Sequence, residues 1–252
     1  TGPSSDSDSP VSSGYVIPSL AAGNYTITVT SANGTTATTA ATVLYLPVHN
    51  TTANTYHPTI QAAIDAASDE DDIFLCAGTY TENATTSTGL NTGKRLSFTG
   101  ATDISGAPIS IINGSLYLND NDVQTITNVR FKSDGVASNH LVQLKNTNGL
   151  TFTNCIFDGD NNLADVVNGI NHISGPNGNS DIEVNNCKFI DGIYVGIGSR
   201  FTGLTVQNTL FDNIKSGINH QSADNVLVED CTFNLNGGSS YGVRFGSNPD
   251  IA

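Results

Sequence analysis

LTFTNCIF, at residues 150–157, is one of five segments that share a single pattern of side chains. The other four are QTITNVRF (124–131), IEVNNCKF (182–189), LTVQNTLF (204–211) and VLVEDCTF (226–233). Each reads apolar, any, apolar, any, Asn or Asp, small, any, Phe, except that Gln124 replaces the first apolar residue of its copy. The small residues lie 26, 32, 22 and 22 positions apart, so a unit of 22 residues recurs with insertions. A repeat of this length is typical of a solenoid.

A second element recurs between these copies. It reads NGINHI (168–173), VGIGSR (195–200), SGINHQ (216–221) and YGVRFG (241–246). LSFTGAT (96–102) resembles an earlier, degraded copy of the first element. The two elements together predict three short strands per coil, separated by turns, in which inward and outward side chains alternate.

Two columns of the repeat have predictable structural roles. The Asn/Asp column predicts a sharp bend between two strands, because Asn tolerates the left-handed conformation and can hydrogen-bond its neighbour in the next coil. We expect this structural ladder to consist of Asn128, Asn154, Asn186, Asn208 and Asp230. The Phe column predicts a stack of rings in the core, made of Phe131, Phe157, Phe189, Phe211 and Phe233.

The first 48 residues lack the repeat. Residues 1–12 are a Ser/Asp/Pro linker with little to bury. Residues 13–48 predict a β-hairpin, because alternating apolar residues precede an Asn33-Gly34 turn signal. A lone hairpin is marginal in water, so this segment either packs on the main domain or belongs to a larger β-domain that is only partly present.

Residues 49–252 are expected to form the solenoid, an all-β fold with one helix at its N-terminal end. In TIQAAIDAAS (59–68) the apolar residues fall at helical spacing, and Thr59 is placed as the N-cap. An acidic cluster, SDEDD, ends this helix, and the coils begin at about residue 73.

The TIQAAIDAA segment, DDIFLCAGTYTEN (71–83) and the five repeat copies together resemble a right-handed parallel β-helix of the pectin-lyase-like superfamily, over residues 56–252. The segment 13–48 resembles the last strands of an immunoglobulin-like module of microbial surface proteins. The superfamily resemblance implies a fold more than a function, because its members include lyases, hydrolases, esterases, epimerases, phage tailspikes, adhesins and surface-layer proteins.

The catalytic motifs of the superfamily are missing from the sequence. Its polysaccharide lyases resemble one another in an Arg-x-Pro-x-x-Arg element, and its polygalacturonase-like hydrolases in Asp-Asp, Gly-His-Gly and Arg-x-Lys. The chain has neither Arg-x-Pro nor Gly-His-Gly. Its Asp71-Asp72 pair lies beside the cap helix, and Arg130-Phe131-Lys132 matches Arg-x-Lys inside an apolar repeat strand. We therefore assign no catalytic residue.

A ligand-binding face is predicted along the second repeated element. It carries Asn171, Asn219 and Arg244, and the resemblance implies that sugars bind there. The loop FDGDNNLAD (157–165) is the best candidate calcium site, because carboxylate oxygens alternate along it. Its candidate ligands are Asp158, Asp160 and Asp165, and the alternative is a polar turn insertion.

The histidines and cysteines fall into columns without a metal signature. His172 and His220 occupy one column two coils apart, about 10 Å, too far to share a zinc ion bound at about 2 Å. Cys155, Cys187 and Cys231 share the small column, where buried thiols acting as small hydrophobes are expected. A disulfide between Cys155 and Cys187 is the alternative.

Composition excludes several function classes. The chain has 23 acidic and 9 basic residues and a net charge of −14, which argues against nucleic-acid and anionic-lipid partners. It contains no apolar run of about 20 residues, so no membrane span is expected. Abundant Thr and Asn and scarce Lys predict a secreted or cell-surface protein. Five Asn-x-Ser/Thr sequons permit glycosylation, although this composition produces sequons by chance.

The sequence is compatible with three functions. The first is a structural or adhesive surface protein, a fragment of a longer chain, that self-associates or contacts neighbouring surface proteins. The second is a polysaccharide-active enzyme or a carbohydrate-binding β-helix with glycans as partners. Neither requires a cofactor beyond the candidate calcium. A third, ice or mineral binding, has little support because no regular Thr-x-Thr column runs through the coils.

Overall fold

The computed structural model describes residues 23–31, 33–43, 46–86, 94–119, 123–136, 140–161, 167–173, 179–220, 225–236 and 240–246. The chain divides into two compact units, residues 1–46 and residues 47–252. The linker predicted at 1–12 lies outside the described residues.

In the first unit, the described residues form an antiparallel hairpin of strands β1 (Gly23–Thr30) and β2 (Thr36–Val43). Gly34 has φ +82°, and the Thr35 N–H donates to the side-chain oxygen of Asn33 at 3.1 Å. The Asn33-Gly34 turn is therefore present. Apart from the half-buried Ile27, the side chains described in this hairpin are exposed, so its own packing stabilises it little.

The second unit is a parallel β-solenoid of about six turns, built from three sheets. Sheet I contains β3 (Val48–Asn50), β4 (Thr55–His57), β5 (Asp72–Leu75), β8 (Leu96–Gly100), β11 (Val123–Thr127), β14 (Thr151–Thr153), β17 (Asn179–Asn185), β20 (Phe201–Gln207) and β23 (Val226–Glu229). Sheet II contains β6 (Gly78–Tyr80), β9 (Ser110–Asn113), β12 (Val129–Lys132), β15 (Ile156–Asp158), β18 (Lys188–Ile190), β21 (Leu210–Ile214) and β24 (Thr232–Leu235). Sheet III contains β7 (Ala84–Thr85), β10 (Leu116–Asn119), β13 (Val142–Lys145), β16 (Asn168–His172), β19 (Val195–Ser199), β22 (Ser216–His220) and β25 (Val243–Phe245).

Each coil visits sheets I, II and III in that order, and each strand pairs in parallel with the equivalent strand of the next coil. The exception is β3, which pairs antiparallel with both β4 and β5 at the N-terminal end of sheet I. The all-β fold predicted from the 22-residue repeat is therefore confirmed, with three strands in each coil.

The Phe column forms a continuous stack inside the solenoid. Neighbouring ring centroids lie 5.2, 4.4, 4.9 and 4.6 Å apart, and the ring planes are within 14° of parallel. The rings belong to Phe131, Phe157, Phe189, Phe211 and Phe233, and the first four are fully buried. The stacked core expected from the sequence is thus present.

Glycines of sheet III make room for this stack. A Cβ on Gly169 would lie 2.7 Å from the Phe189 ring, and one on Gly196 would lie 2.8 Å from the Phe211 ring. A Cβ on Gly217 would lie 2.5 Å from the Phe233 ring. Each of these glycines therefore accommodates a ring of the following coil.

The corner between sheets I and II has a left-handed residue in five successive coils. The φ angles of Asn128, Asn154, Asn186, Asn208 and Asp230 lie between +50° and +59°. The Asn154 amide donates to Asn128 Oδ1 at 2.7 Å, and the Asn186 amide donates to Asn154 Oδ1 at 3.4 Å. Asn208 departs from this pattern and donates to Asn185 Oδ1 at 3.2 Å.

A second ladder, not expected from the sequence, lies at the ends of the sheet II strands and in the turns that follow them. Asn161, Asp191 and Asn213 have φ angles of +59°, +52° and +53°. The Asn213 amide donates to Asn161 Oδ1 at 3.2 Å and to Asp191 Oδ1 at 3.3 Å. Asn236 extends the ladder by donating to Asn213 Oδ1 at 2.7 Å.

A short helix, α1 (Ile60–Ala66), is present within the predicted range of 59–68. The side chain of its N-cap, Thr59, accepts from the Ala62 N–H, and the Glu82 carboxylate accepts from the first two backbone N–H groups. At the other end the Lys94 ammonium donates to the last carbonyls. The helix packs on the solenoid through Ile60, Ala63 and Ile64.

Candidate functional site

The outward face of sheet III holds the three residues predicted to bind a ligand. Asn171 pairs in register with Gly198, Gly198 with Asn219, and Asn219 with Arg244. The three side chains therefore occupy one column that crosses successive coils. Gly198 leaves a bare position between the two asparagines.

The same column continues toward the cap helix. Asn171 pairs with Gln143, Gln143 with Tyr117, and Tyr117 with Thr85. Sequence analysis did not assign these three residues, because the coils that carry Tyr117 and Thr85 lack recognisable copies of the second repeated element. The alternation of inward and outward residues within β10 and β13 was the signal that could have found Tyr117 and Gln143.

A cleft of about 400 Å³ lies at this end of the face. Tyr117 and Gln143 line it together with Asn83, Ala84, Thr85, Ser115 and Ile173. Gln61 of α1 fixes its edge, because the Gln61 amide accepts from the Thr85 N–H at 2.8 Å and donates to the Thr85 carbonyl at 3.0 Å.

Hydrogen bonds hold the polar groups of the cleft in place. The Ser115 N–H donates to Asn83 Oδ1 at 2.8 Å, and the Ser115 hydroxyl donates to the His140 carbonyl at 2.7 Å. The Gln143 amide in turn donates to the Ser115 hydroxyl at 3.1 Å. The polar groups therefore have fixed directions before any ligand arrives.

The far end of the face is cationic and aromatic. The Lys215 ammonium lies 4.0 Å from the centre of the Tyr194 ring, and the Arg244 guanidinium lies 5.4 Å from that of Tyr241. Such pairs restrain the side chains and favour a ligand that carries negative charge or stacks on the rings. The two ends of the face thus have different chemistry.

The histidines near sheet III sit in partly or fully buried surroundings. Burial lowers the pKa of His140, whose Nδ1 accepts from the Asn168 N–H at 3.1 Å. Burial, and secondarily the nearby charge of Arg200, lowers the pKa of His172. The Phe201 ring lies between His172 and the fully buried His220, with centroids at 6.0 and 6.5 Å. A metal shared by the last two histidines is therefore not supported.

The acidic loop after β15 is neutralised by basic residues of β12. Arg130 forms an ion pair with Asp158, whose side chain is only 4% exposed, and Lys132 Nζ lies 3.0 Å from Asp160 Oδ1. Calcium in this loop would have to displace both cations. The third candidate ligand, Asp165, lies outside the described residues. Within the described part of the chain, no group of three or more His, Cys, Asp and Glu is suited to a metal.

The small column beside the Asn ladder holds thiols and a hydroxyl. Cys155 and Cys187 are buried and free, and burial raises the pKa of the Cys155 thiol. The Cys155 N–H points at Cys187 Sγ at 3.4 Å, and the Cys187 N–H points at Thr209 Oγ1 at 3.4 Å. The column therefore offers acceptors to backbone groups. Cys231, also free, is partly exposed.

Among the residues that the structure describes, the outward face of sheet I carries Thr-x-Thr in two neighbouring coils. Thr125 and Thr127 pair with Thr151 and Thr153. In the next coil Glu183 and Asn185 take these positions. A regular Thr array is thus interrupted, as the sequence indicated.

The fold defines the chain as a parallel β-solenoid of about six turns, and its sheet III carries a column of outward, mostly polar side chains. No family model matches the chain, and no match was found among curated proteins or solved structures. No helix among the described residues is long and apolar enough to cross a membrane.

Proposed function

We propose that this chain is a structural and adhesive part of a surface protein, in which the β-solenoid serves as a rigid rod. The observation that carries the proposal is the unbroken ring stack through five coils, with neighbouring centroids 4.4–5.2 Å apart. Packing of this kind couples each of these five coils to its neighbours along the axis. Such coupling is what a load-bearing element requires.

Several finer points belong to this proposal. The net charge of −14 and the Thr- and Asn-rich composition support an extracellular location. The repeat and the capping helix support membership of the pectin-lyase-like superfamily. Self-association completes the proposal, which requires no cofactor and admits calcium as an optional ligand.

The adhesive role is tested by displaying the full 252-residue chain on a non-adherent cell and counting cells retained under flow. We expect display to increase retention. The control pair lies on one strand: Gly196→Val places a side chain against the Phe211 ring, whereas Gly198→Ala faces outward. Retention should disappear with Gly196→Val and persist with Gly198→Ala, and equal retention by both would contradict a role of the folded rod.

Self-association is tested by electron microscopy of the purified chain with and without a chelator. Ordered filaments or sheets would support it, whereas a strictly monomeric product would contradict it. Loss of order after chelation would support calcium, and unchanged assemblies would exclude it from this role.

A second candidate function is carbohydrate binding or processing on the face of sheet III. The column of Asn171, Asn219 and Arg244, with Tyr241 under the Arg244 guanidinium, supports it. Arg244→Ala should then weaken binding or turnover of an acidic glycan. The absence of any response to glycans would contradict this function and leave the rod proposal untouched.

A further inference from the structure

No Asp, Glu, Lys, Arg or His side chain lines the cleft at the cap-helix end of sheet III. Its side chains are two amides, two hydroxyls, the apolar groups of Ala84 and Ile173, and the phenol of Tyr117. A ligand here is selected by hydrogen bonding and apolar contact, since no Asp, Glu, Lys, Arg or His side chain lines the cleft.

Two ionisable neighbours of the cleft are engaged elsewhere. Glu82, adjacent to the lining residue Asn83, directs its carboxylate at the backbone N–H groups of Ile60 and Gln61, at 2.9 and 3.0 Å. His140, whose carbonyl accepts from Ser115, has its Nδ1 held by the Asn168 N–H. Neither side chain therefore lines the cleft, and the Glu82 carboxylate is a negative charge directed at the helix and not at the cleft.

The lining also offers a suitable shape. The volume of about 400 Å³ is at the lower end of the range of about 300–1,000 Å³ that small-molecule sites occupy. The ring of Tyr117 supplies an apolar surface with a polar rim. The restrained amides of Asn83 and Gln143 supply hydrogen-bonding groups of both kinds.

We infer that this cleft binds an uncharged, hydroxyl-rich ligand, a neutral saccharide of about one or two rings. The sugar face packs on Tyr117, and its hydroxyls bond to the Gln143 and Asn83 amides and the Thr85 hydroxyl. The inference rests on the second candidate function and deepens it, because it gives this end of the face a ligand class different from that of the cationic end at Arg244.

The test is isothermal titration of the full chain with a panel of neutral hexasaccharides derived from glucan, mannan, galactan and xylan, and with hexagalacturonate as the acidic comparator. We expect at least one neutral probe to bind, with an affinity that does not change between low and high salt. Gln143→Ala and Tyr117→Ala should each weaken it about tenfold, the effect of losing about 1.4 kcal/mol.

The matched control is Gln207→Ala, which removes an outward amide of sheet I that hydrogen-bonds Glu229 and lies outside the face of sheet III. It should leave neutral-probe affinity unchanged. Thermal unfolding of every variant identifies those that fail to fold, and Gln143→Glu, which keeps the shape and adds charge, then replaces Gln143→Ala. Weaker neutral binding by Gln143→Glu supports the inference.

Three outcomes overturn the inference: no neutral probe binds, neutral binding survives both cleft substitutions, or only the acidic probe binds. The last outcome, with sensitivity to Arg244→Ala, would preserve the second candidate function while removing the cleft from it. The affinity for a bound hexasaccharide is then compared with that for its parent polymer. Tighter binding of the hexasaccharide indicates a free oligosaccharide as the ligand, and equal or tighter binding of the polymer indicates a surface polysaccharide.

Discussion

At the corner between sheets I and II, five residues hold a backbone conformation that most amino acids avoid. Asn186, with φ +52°, is representative. In this region an ordinary side chain costs roughly 1–2 kcal/mol, whereas Asn and Gly are tolerated. The backbone conformation therefore explains why this column is Asn or Asp, and the side-chain hydrogen bonds of the ladder stabilise the corner further.

Replacing Asn186 by Ala should lower the free energy of unfolding by about 1–2 kcal/mol, because Ala strains the left-handed corner. Asn186→Gly removes the same side-chain hydrogen bond, but Gly still tolerates the left-handed backbone conformation. It should cost clearly less than Asn186→Ala. Urea denaturation followed by circular dichroism measures both, and equal losses would show that the hydrogen bond, not φ, dominates.

Cys187 illustrates a second role at the residue scale. Its sulfur receives the Cys155 N–H, in a column where Thr209 does the same with oxygen. Cys187→Ser should retain most of the stability, whereas Cys187→Val should cost about 1–3 kcal/mol by leaving a buried N–H without an acceptor. Denaturation midpoints of the two variants decide this, and a Val variant as stable as the Ser variant would contradict it.

At the scale of the strands, the packing of sheet III against sheet II depends on glycine. A Cβ on Gly196 would lie 2.8 Å from the Gly217 carbonyl oxygen and from the Phe211 ring. The backbone atom cannot rotate away as a flexible side chain could. The strand must therefore shift if any side chain is added.

Gly196→Ala should cost at least about 1–3 kcal/mol, the usual penalty for overpacking a core. Gly198→Ala, two residues along the same strand, meets at 3.2 Å only the Asn168 amide, which can move. Its cost should be small. Thermal unfolding distinguishes them, and similar losses would mean that strand flexibility, not the ring contact, sets the penalty.

The strands show which parts of the site were accessible to sequence reasoning. The columns of Asn, Phe and the ligand face were found because each recurs at one position of a 22-residue repeat. The cleft was missed because Thr85 and Tyr117 belong to coils whose repeat is degraded. The second Asn ladder was missed because Asn161 lies four residues after its column Phe, whereas Asp191 and Asn213 lie two residues after theirs. Which residues of successive coils lie side by side is determined by how the coils stack, and that stacking is visible only in the folded structure.

For the whole molecule, two partly buried histidines couple stability to pH. Burial lowers the pKa values of His140 and His172. The folded protein therefore takes up these two protons at a lower pH than the unfolded chain, whose histidines have the ordinary pKa of about 6.5. The unfolded state then binds more protons as the pH falls through that value. Stability therefore increases with pH in this window and is lost below it.

The urea concentration at the unfolding midpoint should decrease when the pH is lowered from 7.5 to 5. Replacing both histidines by Gln should flatten this dependence while leaving the midpoint at pH 7.5 less affected. Carboxylates titrate mainly below this window, at about pH 4, which separates their contribution. An unchanged slope in the double variant would show that other groups cause the pH dependence.

The contact between each glycine and the ring of the following coil also constrains how such a chain changes over generations. Neither partner can be replaced alone, because the other half of the contact belongs to a different copy of the repeat. Duplication of an entire coil, however, copies both halves together. Descendants of this sequence should therefore differ in the number of coils more readily than in these two columns.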